Sequence, residues 1–256
     1  EDMDVKAPRC LTLLADWSNI LAGISLTVAF SIICAVFTFK AAKMEGSTHE
    51  VFLYMMTVEG ILWAVGGATT AAINVIENNA LMAVIQTIIS FGGCFFAISG
   101  VGDGIPGNII SIFYVVPISD TADARIQDAL PFWGIGCFMF ATTLSLRSVW
   151  ALPKNRIISP FWGVACFFLG AWTIGVFGLW GPCIADGIVS YVDLKDKNLK
   201  YALRPFAWTW IHIFQVLGAL FLTSGAVIFG ALDGIFGGRR GAPQEFSDEE
   251  SSSEGD

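Results

Sequence analysis

The stretch "GGATTAAINVIENNALMAVIQTIISFGG", residues 66 to 93, places three polar residues, Glu77-Asn78-Asn79, between two apolar runs. The apolar region around it, residues 50 to 101, exceeds the about 20 helical residues that cross a hydrocarbon core about 30 Å thick. Asparagine tolerates turn geometry, and Glu77 can be solvated beside it. The sequence therefore predicts two membrane helices joined by a turn at Asn78 and Asn79. The alternative is a re-entrant polar site at membrane depth, which protein would have to enclose.

The whole chain is as apolar as this stretch. Of its 256 residues 55% are hydrophobic and 14% are charged, whereas about a quarter of the residues of a soluble domain are charged. Strict alternation of polar and apolar residues is absent from the long apolar runs, which argues against a membrane barrel. We therefore predict an all-α integral membrane protein, a bundle of six transmembrane helices. The predicted spans are residues 17 to 39, 50 to 74, 80 to 101, 130 to 151, 158 to 180 and 205 to 232.

The two ends of the chain are hydrophilic. Residues 1 to 16 are predicted to precede the membrane domain of residues 17 to 236, and residues 237 to 256 form an acidic, serine-rich tail whose composition predicts disorder. Six spans place both termini on one side of the membrane. Serines followed by acidic residues suit acidophilic kinases of the cytosol, so cytosolic termini are expected. The alternative is a solvated tail that only aids solubility. Seven Lys and Arg residues on each side leave the positive-inside rule undecided, and the sequence does not identify the membrane.

Residue types that serve soluble enzymes are scarce. The only histidines are His49 and His212, and the six cysteines lie apart along the chain. Neither a metal cluster nor a Ser-His-Asp arrangement is supported by this pattern. We expect no enzymatic activity, no cofactor, no metal and no nucleic-acid partner.

Polar side chains inside the predicted spans are the candidates for function. Glu59 lies nine residues into the second span, roughly 14 Å from its start. An ionisable residue at such depth costs about 2.5 kcal/mol or more and is a functional candidate by default. The alternative is that the span begins later and Glu59 lies at the interface. Gln86, His212 and Gln215 are weaker candidates because a neighbouring helix can satisfy each of them, and the last two share one helix face.

Three segments carry a resemblance to a known family. They are "DALPFWGIGCFMFATTLSLRS" at 128 to 148, "EGILWAVGG" at 59 to 67, and Ser90-Phe91-Gly92. They resemble the fourth span, the glycine-led second span and the Ser-Tyr-Gly motif of the acetate uptake family, which includes bacterial succinate-acetate permeases and fungal acetate proteins. Of that family's Asn-Pro-Ala-Pro-Leu-Gly-Leu signature, the chain keeps Ala7-Pro8.

The resemblance implies a transporter or channel for small monocarboxylates such as acetate, assembled as a homo-oligomer, a hexamer in that family, with a pore in each protomer. It further implies a constriction at Phe91, with its other members near Leu14 and Cys166, and proton-linked transport in which Glu59 accepts the proton. The second interpretation is a structural or accessory membrane subunit that conducts nothing. A continuous polar path through one protomer distinguishes the two, because only a transporter or channel needs one.

Overall fold

The computed structural model describes residues 6–40, 47–101, 122–152, 154, 156, 158–180 and 197–235. Within these ranges the secondary structure is helical, without strands. The helices are α1 (Arg9–Lys40), α2 (Ser47–Ile76), α3 (Ala80–Val101), α4 (Ala122–Val149), α5 (Pro160–Trp172) and α6 (Lys197–Leu232). A π-helical segment, Thr173–Trp180, continues α5.

Each of the six helical units contains a stretch that is long and apolar enough to cross a membrane. These stretches are Arg9–Ile32, Tyr54–Ile76, Ala80–Ser99, Phe132–Val149, Pro160–Phe177 and His212–Leu232. The prediction of an all-helical, multi-pass membrane protein is therefore confirmed for the part of the chain that the structure describes. The acidic tail, residues 237 to 256, lies outside it, and the cytosolic placement of the termini stays a prediction.

The first helix begins earlier than the sequence suggested. The predicted first span starts at residue 17, but α1 starts at Arg9. Thr12 and Asp16, which were expected to precede the membrane domain, are buried in the bundle. Arg9 and Asp16 are charged, and charged residues usually lie in water. The sequence alone therefore placed this part of α1 before the membrane domain.

The junction of α2 and α3 is a turn. Asn78 adopts a left-handed backbone conformation, with φ of 56°, which asparagine accepts more readily than most residues. The backbone N–H of Asn79 donates to the Asn74 carbonyl oxygen at 2.7 Å, and the Asn79 side chain accepts from the Met82 N–H at 3.3 Å, which caps α3. Glu77, Asn78 and Asn79 are all exposed. The re-entrant alternative, which requires enclosure by protein, does not describe this segment.

The six helical units form a closed ring. Each packs against the next in chain order, and α6 packs back against α1. The hydroxyl groups of Thr27 and Thr223, 3.1 Å apart, join α1 to α6, and the Ser90 hydroxyl donates to the Ala64 carbonyl oxygen of α2 at 2.8 Å. Because the ring closes, the inner faces of all six helices share one axis, and the described apolar core lies along it.

The contact between α2 and α3 depends on glycine. A methyl group added to Gly93 would contact the Ala64 backbone nitrogen and would lie 2.8 Å from the Gly60 carbonyl oxygen. Backbone atoms of two packed helices cannot move aside separately, so such a group would force the helices apart. Small residues of this kind let membrane helices approach closely.

We therefore expect Gly93→Ala to lower the free energy of unfolding by about 1 to 3 kcal/mol, the usual result of overpacking. Gly136→Ala is the matched control, because a methyl group on that glycine of α4 would have no atom within 4 Å. Denaturant or thermal unfolding in detergent measures both variants. Equal stability of the two would contradict the close α2–α3 packing.

Candidate functional site

A cavity of about 250 Å³, the vestibule, occupies one end of the ring. All six helices contribute to its lining. Its polar side chains comprise six amides and hydroxyls and two carboxylates: Asn19, Thr70, Asn74, Gln86, Thr142, Ser145, Asp16 and Asp233. The described lining contains no Lys, Arg or His.

The outer rim of the vestibule lies at helix ends. Asn74 precedes the turn after α2, Met82 follows it at the start of α3, and Asp233, which is exposed, comes directly after α6. Trp150 and Trp162, both exposed, flank the α4–α5 connection at the same end of the ring, as expected for side chains at a membrane–water interface. The vestibule thus approaches the membrane surface on the side where α1 begins and α6 ends.

Aromatic side chains form the inner floor of the vestibule. The Trp63 ring meets Phe138 edge-on, with centroids 5.3 Å apart, and Phe167 edge-on at 5.9 Å. These are favourable aromatic geometries. Trp63 is only 2% exposed. The three rings close the vestibule towards the centre of the bundle.

A second, smaller cavity of about 20 Å³ lies on the other side of this floor. Glu59 lines it, together with Trp63 and with apolar side chains from the other helices: Leu26, Phe30, Phe96, Ile135, Phe138, Ile174 and Leu222. Ile174 belongs to the π-helical segment. A cavity of this size is large enough for one water molecule.

The Glu59 carboxyl group is buried without a hydrogen bond. Its side chain is 1% exposed, and neither carboxyl oxygen has a hydrogen-bond partner. The indole N–H of Trp63, one helical turn along α2, lies within electrostatic reach of the carboxyl group, but the pair does not form a hydrogen bond of normal geometry, and the indole nitrogen has no other partner. Buried polar groups are normally paired. Glu59 and Trp63 face one cavity without a hydrogen bond of normal geometry and are therefore the strongest candidates for a functional site among the described residues.

The structure places the four predicted polar candidates in three regions. Protein encloses the Glu59 side chain completely, and its carboxyl group lines the smaller cavity. Gln86 lines the vestibule. His212 and Gln215 are buried on α6 and joined by a 2.8 Å hydrogen bond between the ring Nδ1 and the amide oxygen. They line neither cavity.

The three residues of the predicted constriction line neither cavity in the structure. Phe91 is 59% exposed and Leu14 is 49% exposed, both on the outer surface of the ring, and the half-buried Cys166 lines neither cavity. Ser90 turns its hydroxyl towards α2, and the next residue of a helix lies about 100° further round, which directs Phe91 outwards. The narrowing of the axis is formed instead by Trp63 and Phe138.

Neither Trp63 nor the vestibule residue Asp16 was singled out from the sequence. The available signal for Trp63 was its spacing, since a residue four positions after Glu59 shares its helix face. Asp16 gave a weaker signal, because a carboxylate directly before the predicted first span, which starts at residue 17, looks solvated.

Comparison of the chain with protein-family models, curated proteins and solved structures finds no match. The resemblance to the acetate uptake family therefore stays a prediction. Among the described residues, no three His, Cys, Asp or Glu side chains come together as metal ligands would.

Proposed function

We propose that the chain is a membrane transporter for small monocarboxylic acids such as acetic acid, with its route along the axis of its own helix ring. The observation that carries the proposal is the polar vestibule, lined by all six helices, whose floor separates it from the unpaired carboxyl group of Glu59. A subunit that only packs against partners needs no polar cavity on its axis. A site with a few polar groups in a concave apolar setting is the usual form of a small-molecule site.

The lining favours an acid in its uncharged form. Six of the polar side chains are amides and hydroxyls, two are carboxylates, and none of those described is basic. A carboxylate anion would meet no opposite charge among the described lining residues, and its desolvation would be uncompensated by them. The neutral acid finds both donors and acceptors for its hydroxyl and carbonyl groups. The acid consequently carries its own proton.

Protonation of Glu59 also controls whether the aromatic floor can close. The cavity around it holds no other described titratable group, because its remaining lining residues are apolar or aromatic on every helix that contributes. An unpaired ionised carboxylate there would cost several kcal/mol. The floor therefore closes only over a neutral Glu59. Since the aromatic floor blocks the axis in the present conformation, transport requires opening and closing, as in carriers with alternating access.

Uptake into liposomes that contain the purified protein tests this proposal. We expect saturable uptake of labelled acetate and of the more polar lactate, because the vestibule provides a binding site for both. Initial rates should be at least about tenfold above those of protein-free liposomes. Subtracting the protein-free rate is essential because undissociated acetic acid crosses lipid by itself. Rates equal to those of protein-free liposomes for both solutes would favour the structural-subunit interpretation.

A further inference from the structure

The Trp63 indole separates the two cavities of the ring. It lines the vestibule on one side and the Glu59 cavity on the other. Among the described residues Phe138 also borders both cavities, and it packs edge-on against Trp63. Solute or water in the vestibule can meet Glu59 only if this partition moves.

The helix backbone at this point is held in place. A methyl group built on Gly93 would lie 2.8 Å from the Trp63 carbonyl carbon and 2.8 Å from the Gly60 carbonyl oxygen, so α2 and α3 are in backbone contact beside the indole. A shift of α2 would disrupt that contact. Movement of the side chain alone is the easier way to open the partition.

The indole is buried and packs against Phe138 and Phe167. Its N–H makes no hydrogen bond of normal geometry, and only the interaction with the nearby Glu59 carboxyl group would be lost on rotation. The vestibule next to it offers about 250 Å³ of space, and amide and hydroxyl side chains lie in its lining. A buried indole N–H normally finds an acceptor. Rotation into the vestibule would therefore bring the indole N–H towards a cavity that contains hydrogen-bond acceptors.

We propose that Trp63 is the gate between the vestibule and Glu59, and that rotation of its indole ring into the vestibule joins the two cavities. Phe138 acts as the stop against which the ring closes. In the closed position Glu59 is isolated from the vestibule, and in the open position a small neutral solute can contact its carboxyl group. This inference rests on the proposed function for its biological meaning, but the gate is a physical property of the chain and is measured without transport.

The test is the reactivity of a cysteine at position 59. Glu59→Cys is made in a background without the native cysteines, reconstituted in lipid nanodiscs and treated with the small water-soluble thiol reagent 2-aminoethyl methanethiosulfonate. With Trp63 present we expect slow modification, limited by opening of the gate. Trp63→Ala should accelerate it at least about tenfold, whereas Trp63→Phe, which keeps an aromatic ring, should leave the rate within about twofold of the original, because the ring and not its N–H closes the partition.

Two controls separate a gate from general loosening. Thr70→Cys reports on the vestibule itself and should react at the same rate with Trp63 or Ala at position 63. Trp133→Ala removes a half-exposed indole from the outer surface of α4 and should not change the reactivity of the cysteine at position 59. If Trp63→Ala does not fold, Trp63→Leu replaces it, since leucine fills part of the space but is too narrow to cover the cavity.

Unchanged reactivity at position 59 in a folded Trp63→Ala or Trp63→Leu protein would overturn the gate. Equal acceleration at positions 59 and 70 would overturn it too, because the whole bundle would then have loosened. If the protein passes this test but moves no solute into liposomes, the proposed function is refuted and the gate proposal stands. If the protein transports solute but fails this test, only the gate proposal is refuted.

Discussion

The Glu59→Gln variant should take up solute at a rate that no longer depends on pH. Glutamine keeps the shape and hydrogen-bonding capacity of the side chain but cannot ionise. If the floor closes only over a neutral side chain, the wild-type rate is highest at low pH and falls as pH rises and Glu59 ionises in the open state, by up to about tenfold per pH unit for one titrating group. The variant is always neutral and should keep the low-pH rate throughout.

Initial rates between pH 5.5 and 8.5 measure this effect, with the concentration of undissociated acid held constant so that ionisation of the solute does not contribute. Glu77→Gln is the matched control, because Glu77 is an exposed carboxylate in the α2–α3 turn at the vestibule end. It should retain the wild-type profile. A wild-type pH profile in well-folded Glu59→Gln protein would show that protonation of Glu59 does not control uptake and that its role is structural.

Filling the vestibule should stop uptake. Asn74 is half-buried and lines the vestibule near its rim, and its side chain makes one described hydrogen bond, 2.8 Å long, to the Thr70 carbonyl oxygen within the same helix. Asn74→Trp places an indole group in the cavity with little loss of packing. We expect uptake to fall at least about tenfold, because the solute site and its entrance are then occupied.

Val75→Trp is the comparison for that variant. Val75 is the next residue, but it is exposed on the outer surface of the ring, where an indole group near the interface is well tolerated. Its uptake should match the wild type. Equal loss of uptake in both variants would show damage to α2 and not obstruction of a route.

The sequence was sufficient for the features that depend on contact with lipid. Length and hydropathy predicted six spans, and Asn78 with Asn79 predicted the turn at which α2 ends and α3 begins. These inferences succeed because a bilayer admits few structures and requires about 20 apolar residues for each crossing.

The rotation of each helix could not be predicted in the same way. The interior of a membrane bundle is as apolar as the lipid outside it, so apolar periodicity does not distinguish Phe91, which faces outwards, from Phe138, which faces the axis. Matching Ser90-Phe91-Gly92 to a family motif gave a position along the helix but no direction around it. Glu59 was identifiable because a carboxyl group at that depth must be enclosed, whereas Trp63 beside it carries no charge to mark it.

Reversible block of a single introduced thiol tests the central claim, that solute passes through the vestibule of each chain. Asn74→Cys, in the background without native cysteines, is reconstituted in liposomes and treated with a bulky methanethiosulfonate, and uptake is then followed before and after a reducing agent removes the added group. The account predicts that uptake falls to the protein-free rate on modification and returns on reduction in the same sample. Undiminished uptake with the cysteine fully modified would contradict it.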